Sequence, residues 1–254
     1  MSDSPTQDLT QAQPKKSPLT MLGMVLAIGL LVDDALIGRR LIGILDHTGE
    51  IVYLLVDATR WLWRGLTKKR YRLGRSAIVS QICRIGVQSI FIVALVSGAV
   101  GLILALQLSP PLDDFGQRDK VANIIAVAVL RELGPLIGAI VLTGFAGASI
   151  AAEIGTMVVS EEIEALEASA LNPIRFLVVP RLLAASISMT ALGVISSFFA
   201  IVSALLISIT MLGIPYETYM DNMLTQAKLV DFLTGVAKGG IFGTLIGIIA
   251  CANG

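Results

Sequence analysis

Charge is scarce in this chain, and the charge that is there cancels. Only 15% of the 254 residues are Asp, Glu, Lys or Arg, whereas a soluble domain has roughly 25%. The 19 basic residues balance the 19 acidic residues, so no overall field favours nucleic acid. Hydrophobic residues make up 55% of the chain and the mean hydropathy is +0.81. This composition is typical of a membrane protein and excludes an ordinary soluble enzyme.

Histidine and cysteine are nearly missing as well. His47 is the single histidine, and Cys83 and Cys251 are the two cysteines. These are too few for a histidine-based metal site, a catalytic triad or a disulfide framework. No G-x-x-x-x-G-K-[ST] loop occurs, so this chain has no Walker loop for ATP. We expect no enzyme and no cofactor, and we interpret the glycine-rich stretch 235–247 as a helix-packing surface.

Apolar runs of membrane length fill most of the sequence. A helix needs about 20 such residues to cross a bilayer, and four stretches provide them: 85–108, 121–152, 176–212 and 229–252. The third is either one tilted helix or two pieces bent near Gly193. Because a helix satisfies its own backbone groups in lipid, the sequence predicts an all-α integral membrane protein.

The loops and the orientation follow from proline and from basic residues. Ser109-Pro110-Pro111 should end the first crossing, which leaves polar loops at 109–120 and 213–228. Lys and Arg concentrate before residue 85 and in the segment 153–181. Since cytoplasmic loops carry the excess of Lys and Arg, we expect those two regions in the cytoplasm and the two loops outside.

The N-terminal region holds two segments of another kind. Residues 19–37 are apolar except for Asp33 and Asp34. Residues 50–66 are amphipathic and are interpreted as a helix lying in the membrane interface, with packing on other protein as the alternative. Its predicted apolar face consists of Ile51, Leu54, Leu55, Trp61 and Leu62.

The segment 153–181 is the most informative one for function. Ser160 should cap a short helix, which Asn172-Pro173 should end. Ile163, Leu166 and Ala170 should line one face of it. The acidic residues favour docking into a cytoplasmic protein over resting on the anionic membrane surface. The predicted docking residues are Glu161, Glu162, Ile163, Glu164, Leu166 and Glu167.

A second polar feature lies inside an apolar stretch. Arg131 and Glu132 stand in the second predicted crossing, just before Gly134-Pro135. A charge at membrane depth costs a few kcal/mol. We therefore expect these side chains to contact each other or neighbouring polar groups, either as a structural clamp or in transport.

Several of these motifs, in this order, resemble the MlaE/YrbE permease family from about Arg39 to Gly254. They are Leu130-Arg131-Glu132-Leu133-Gly134-Pro135, Ala151-Ala152-Glu153-Ile154-Gly155-Thr156-Met157, Glu161 to Leu166, Asn172-Pro173-Ile174-Arg175 and Val179-Pro180-Arg181. The resemblance implies a homodimeric ABC permease in the inner membrane of a Gram-negative bacterium. It implies a separate cytoplasmic ATPase that docks at Glu161–Leu166, and an MCE-domain partner in lipid transport. It also implies a lipid site between two copies near 85–108, with Ile92, Leu95, Val96 and Leu102 as candidates.

Three departures from the family pattern leave alternatives open. Phe145 stands where members usually carry Arg. Members also continue past the position of Gly254 into one more crossing, so the expected domains are a non-family extension 1–38 and a short permease domain 39–254. Residues 19–37 instead resemble part of an RND efflux pump helix, whose paired acids would match Asp33 and Asp34. The alternatives are therefore a proton-coupled transporter fragment and a non-transporting remnant.

Overall fold

A computed structural model describes residues 42–43, 45–64 and 75–254. The chain forms two compact units, residues 1–49 and 50–254. In the first unit, residues 42–43 and 45–49 are helical. The predicted extension 1–38, with Asp33 and Asp34, lies outside the described residues.

The described part of the second unit is helical and contains no β-strand. Four stretches are long and apolar enough to cross a membrane, namely Ser76–Asp114, Arg118–Val159, Ile174–Thr210 and Leu229–Ala252. This confirms the predicted all-α membrane fold with four crossings. The helices are α1 (50–64), α2 (Arg75–Ile85), α3 (Ile90–Asp114), α4 (Val121–Ala128), α5 (Gly134–Leu142), α6 (Ala148–Val159), α7 (Glu162–Ala168), α8 (Val179–Thr210), α9 (Tyr216–Gln226) and α10 (Leu229–Ala252).

The predicted ends of the first crossing and one predicted loop were wrong. α3 continues through Pro110 and Pro111 to Asp114, because the proline φ angle is compatible with a helix and each proline removes only one amide donor. Residues 213–228 were expected to be a loop, but most of them form α9. The side chain of Tyr219 on this helix is buried. The long third stretch is one helix, since α8 runs unbroken through Gly193.

Prolines and π-helical turns occur together in the crossing helices. A π-helical turn at Val129–Leu133 precedes Pro135, and another at Ile174–Val178 precedes Pro180. Proline lacks the amide that the carbonyl four residues earlier would accept. The π turns begin before that carbonyl: the N–H of Gly134 donates to the carbonyl of Val129, and the N–H of Val179 donates to the carbonyl of Ile174, each five residues earlier. The second crossing therefore continues past Arg131 and Gly134-Pro135 instead of breaking there.

α8 is the central helix, with α3 and α10 packed along it. The hydroxyl of Ser97 on α3 lies 2.8 Å from that of Ser196 on α8. One turn further along α3, Gly101 lies directly against the carbonyl of Ala200 on α8, which leaves no room for a side chain. On α10, buried glycines recur every fourth residue, and they are Gly235, Gly239, Gly243 and Gly247. The glycine-rich stretch is therefore a packing surface, as predicted.

α1 carries the predicted apolar face and buries it in protein. Its five predicted apolar residues pack against the core of the second unit, where Ala58 is fully buried. The guanidinium of Arg175 lies 5.9 Å from the centre of the Trp61 ring, which holds α1 against the segment that follows α7. The alternative interpretation, packing on other protein, thus describes this face. Contact of α1 with the membrane surface stays a prediction.

Candidate functional site

The short acidic helix α7 sits between two crossing helices. α6 ends at Val159, and Glu161 then adopts a left-handed conformation with φ of 59° that turns the chain into α7. Ser160 was expected to cap α7, but its hydroxyl instead donates to the carbonyl of Thr156 at 2.8 Å. Ser160 therefore closes the end of α6, because the left-handed residue after it already makes the turn.

The far end of α7 also differs from the prediction. α7 ends at Ala168, and Ala170 lies beyond it with φ of 56°. Ala170 therefore does not extend the apolar face of the helix. Asn172-Pro173 was expected to end the helix, but α7 ends before it, and Oδ1 of Asn172 accepts the backbone N–H of Arg175 at 3.2 Å. Asn172 thus begins the helical segment that leads into α8.

The two faces of α7 have different surroundings. Glu161, Glu162, Glu164 and Glu167 are all exposed. Ile163 is half-buried and packs against the protein's own core, and Leu166 is half-buried. α7 is therefore anchored at Ile163, while its carboxylates and part of Leu166 remain accessible to a partner.

An ion-pair network that is buried at Arg181 and half-exposed at Arg84 joins three helices close to α7. Glu153 on α6 places Oε1 3.1 Å from NH2 of Arg181 on α8 and Oε2 3.1 Å from NH1 of Arg84 on α2. The side chain of Arg181 is 5% exposed and that of Arg84 is 49% exposed. One carboxylate thus bridges two arginines on different helices. These residues were not paired in the predictions from sequence, although each is a charge inside a predicted or observed crossing helix.

Arg181 is held by further contacts. Its NH1 donates to the carbonyl of Leu177 at 3.0 Å, and its NH2 lies 3.8 Å from Sδ of Met157, one turn after Glu153 on α6. Its Nε is buried without a hydrogen-bond partner among the described residues. Because a buried charge that loses its partner is costly, Arg181 fixes the position of α6 against α8.

Of the two charged residues predicted in the second crossing, Arg131 and Glu132, only Glu132 has a charged partner among the described residues. Glu132 forms an ion pair with Lys238 on α10, and the two side chains are 59% and 36% exposed. Arg131 is exposed, and it forms no ion pair within the described part of the chain. All three charges belong to the crossing helices, with Lys238 nine residues, or about 14 Å, into α10.

The four lipid-site candidates lie on α3, but they do not form one site in a single copy. Ile92, Leu95 and Leu102 are exposed, whereas Val96 is half-buried. Only Leu95 lines the apolar groove of about 700 Å3 between α3 and α8. The other residues that line this groove were not predicted from the sequence, and they are Val87, Ile90, Phe91, Ala94 and Phe199.

A second apolar cavity, of about 430 Å3, lies between the second crossing and α10. It is lined mainly by small and aliphatic residues, together with the aromatic ring of Phe242. Phe145, which stands where the family pattern has Arg, is 38% exposed on the same crossing. In the described part of the chain, no group of three His, Cys, Asp or Glu side chains could hold a metal ion.

Four crossings, the second and third of which are joined by an exposed acidic helix, define the class of multi-pass membrane proteins. Residues 78–254 match the family model described as Permease MlaE. The chain belongs to this family, and it is an ABC transporter permease of the inner membrane.

Relatives from several organisms agree with this assignment. A probable ABC transporter permease protein of Rickettsia typhi is 35% identical over 179 residues, which are 70% of this chain and 69% of the relative. Its counterpart in Rickettsia bellii is 34% identical over 219 residues, 86% of this chain and 82% of the relative. The intermembrane phospholipid transport system permease protein MlaE of Haemophilus influenzae is 29% identical over 219 residues, again 86% and 82%.

Proposed function

We propose that this permease moves a phospholipid between the inner membrane and the cell envelope of a Gram-negative bacterium, driven by ATP hydrolysis on a separate chain. The lipid class follows from the name of the Haemophilus influenzae relative, a phospholipid transport permease. An MCE-domain protein as the partner outside the membrane, and a homodimer of the permease, follow from the family resemblance.

The observation that carries the proposal is the placement of α7. Its four exposed glutamates form an acidic surface, and its two ends join the second and third crossings directly. The positive-inside expectation puts this surface in the cytoplasm, where an ATPase would meet it. A force on α7 would therefore reach both crossings through short connections.

The lipid contacts are proposed on α3 and on the charged residues of the second crossing. Phe91 and Leu95 are 75% and 61% exposed on α3, and a second copy of the chain would cover this face around a lipid. The Glu132–Lys238 pair acts as a clamp between two crossings, because each charge offsets the other in lipid. The exposed Arg131 beside it is then left for the anionic headgroup of a passing phospholipid.

Co-purification tests this proposal. The tagged permease should be isolated from native membranes in mild detergent, with identification of the proteins and lipids that elute with it. We expect an ABC ATPase and a phospholipid in the eluate. Isolation of the folded permease with neither would contradict the proposal, and a bound lipid without an ATPase would leave transport without its energy source.

A further inference from the structure

We propose that Glu153 is the positioning residue of the coupling path: by bridging Arg84 and Arg181 it makes α6, α8 and α2 move together when α7 is displaced. This inference rests on the proposed ATP-driven function. It identifies Glu153 as the residue through which a displacement of α7 passes to the crossing helices.

Glu153, Arg84 and Arg181 together form what we call the joint, because the Glu153 carboxylate connects two arginines on different helices. Each oxygen of Glu153 contacts a different arginine at 3.1 Å. A shift of α6 by an ångström relative to α8, with both side chains in place, would lengthen a 3.1 Å contact beyond hydrogen-bond range. The three helices are thus fixed to one another at a single side chain.

Burial gives the joint its stiffness. Arg181 is 5% exposed, and its guanidinium donates to the carbonyl of Leu177 on the π-helical turn that leads into α8. Sliding α6 away would leave this charge buried and unpaired, which is strongly unfavourable. The lower-energy response is for α8 to follow α6.

The position of the joint matches the path from α7. Glu153 lies six residues before Val159, the last residue of α6, so it is about 9 Å from the start of the turn into α7. Met157, between the two, also contacts Arg181. A displacement of α7 therefore reaches α8 both through the chain beyond Asn172 and through this side-chain contact.

The test uses the permease with its co-purified ATPase in liposomes that contain headgroup-labelled phosphatidylethanolamine. Glu153→Gln removes the bridging charge. The double change Glu153→Leu with Arg181→Met removes the buried pair, a replacement that is often tolerated, and leaves only the half-exposed Arg84 without its partner. Glu217→Gln, at an exposed glutamate on α9, is the matched control.

We expect both Glu153 variants to bind the ATPase and hydrolyse ATP, while lipid moved per ATP falls about tenfold or more. That is the minimum for losing a charge-assisted hydrogen bond from a two-state step. The control should retain the ratio of the wild type. A ratio within about twofold of the wild type in both variants would overturn the proposal, as would failure of both to accumulate in the membrane, since the network would then serve folding only.

A second measurement separates this inference from the transported lipid. Cys83 is exposed on α2 beside Arg84, whereas Cys251 is buried. The rate at which a maleimide labels Cys83 should change when ATP and vanadate are added to the wild-type complex. This change should be lost in Glu153→Gln and Arg84→Gln. A response that persists in both variants would overturn the joint. A wild type that shows the response but moves no lipid would contradict the proposed function alone.

Discussion

Two glycines on α10 allow the packing of this helix to be tested with the same chemical change at neighbouring positions. Gly240 and Gly243 are three residues apart. A Cβ added at Gly243 would lie 2.6 Å from the carbonyl oxygen of Ala185 and 2.7 Å from Cβ of Met189, both on α8. A Cβ at Gly240 would find its nearest neighbour, Oγ1 of Thr190, at an ordinary 3.5 Å. Only an alanine at Gly243 forces α10 and α8 apart.

The expected effects have opposite signs. Replacing glycine by alanine inside a helix stabilises it by roughly 0.5–1 kcal/mol, and nothing opposes this gain at Gly240. At Gly243 the gain is offset by overpacking, which costs about 1–3 kcal/mol. The upper end applies there because the neighbouring atoms belong to the backbone or lie next to it. The net loss at Gly243 is then about 2 kcal/mol.

Thermal unfolding in detergent measures the difference. For a chain of this size, 1 kcal/mol corresponds to about 2–4 °C in Tm. Gly240→Ala should raise Tm by about 1–4 °C, and Gly243→Ala should lower it by about 4–8 °C. Equal shifts of the same sign would refute the close packing of α10 on α8, and a stabilised Gly243→Ala would refute it on its own.

Three further predictions concern single side chains. Leu166→Asp should weaken ATPase capture by about a hundredfold or more, since burying an unpaired charge costs several kcal/mol. Ala165→Asp, at an exposed position of α7, should weaken capture less. Equal capture by both variants would place docking elsewhere. Lys238→Met should lower membrane yield because Glu132 keeps an uncompensated charge, and adding Glu132→Gln should restore it; no rescue would argue against the clamp. Burial raises the pKa of the Tyr219 hydroxyl to about 12. The folded protein then holds this proton more tightly than the unfolded chain, so stability present below pH 10 should be lost between about pH 10 and 12. Tyr219→Phe should abolish that loss in alkaline unfolding curves and, because the hydroxyl has no hydrogen-bond partner in the described residues, should not lower Tm at neutral pH.

The crossings were predictable because lipid imposes a single rule on long segments. Their apolar length and low charge indicate helices regardless of tertiary contacts. The ends were less predictable, because Pro110 and Pro111 break helices in one context and continue them in another. The packing role of Gly235–Gly247 followed from residue size alone, but the choice of α8 as its partner required the structure.

The candidate site was predictable to the extent that it is local. The acidic helix was found because its glutamates are close in sequence, although its start and end depended on the left-handed residues Glu161 and Ala170. The pairs Glu132–Lys238 and Glu153–Arg181 join residues distant in the chain. A sequence shows that such charges need partners, but only the helix packing shows which partners they have.

ATP-dependent movement of lipid tests the central claim most directly. The permease and its co-purified ATPase should be placed in liposomes with labelled phosphatidylethanolamine, and lipid movement followed with ATP, without ATP and with vanadate. Movement that requires ATP and stops with vanadate is the expected result. ATP hydrolysis by the intact complex with no lipid movement, for this or any other phospholipid supplied, would contradict it.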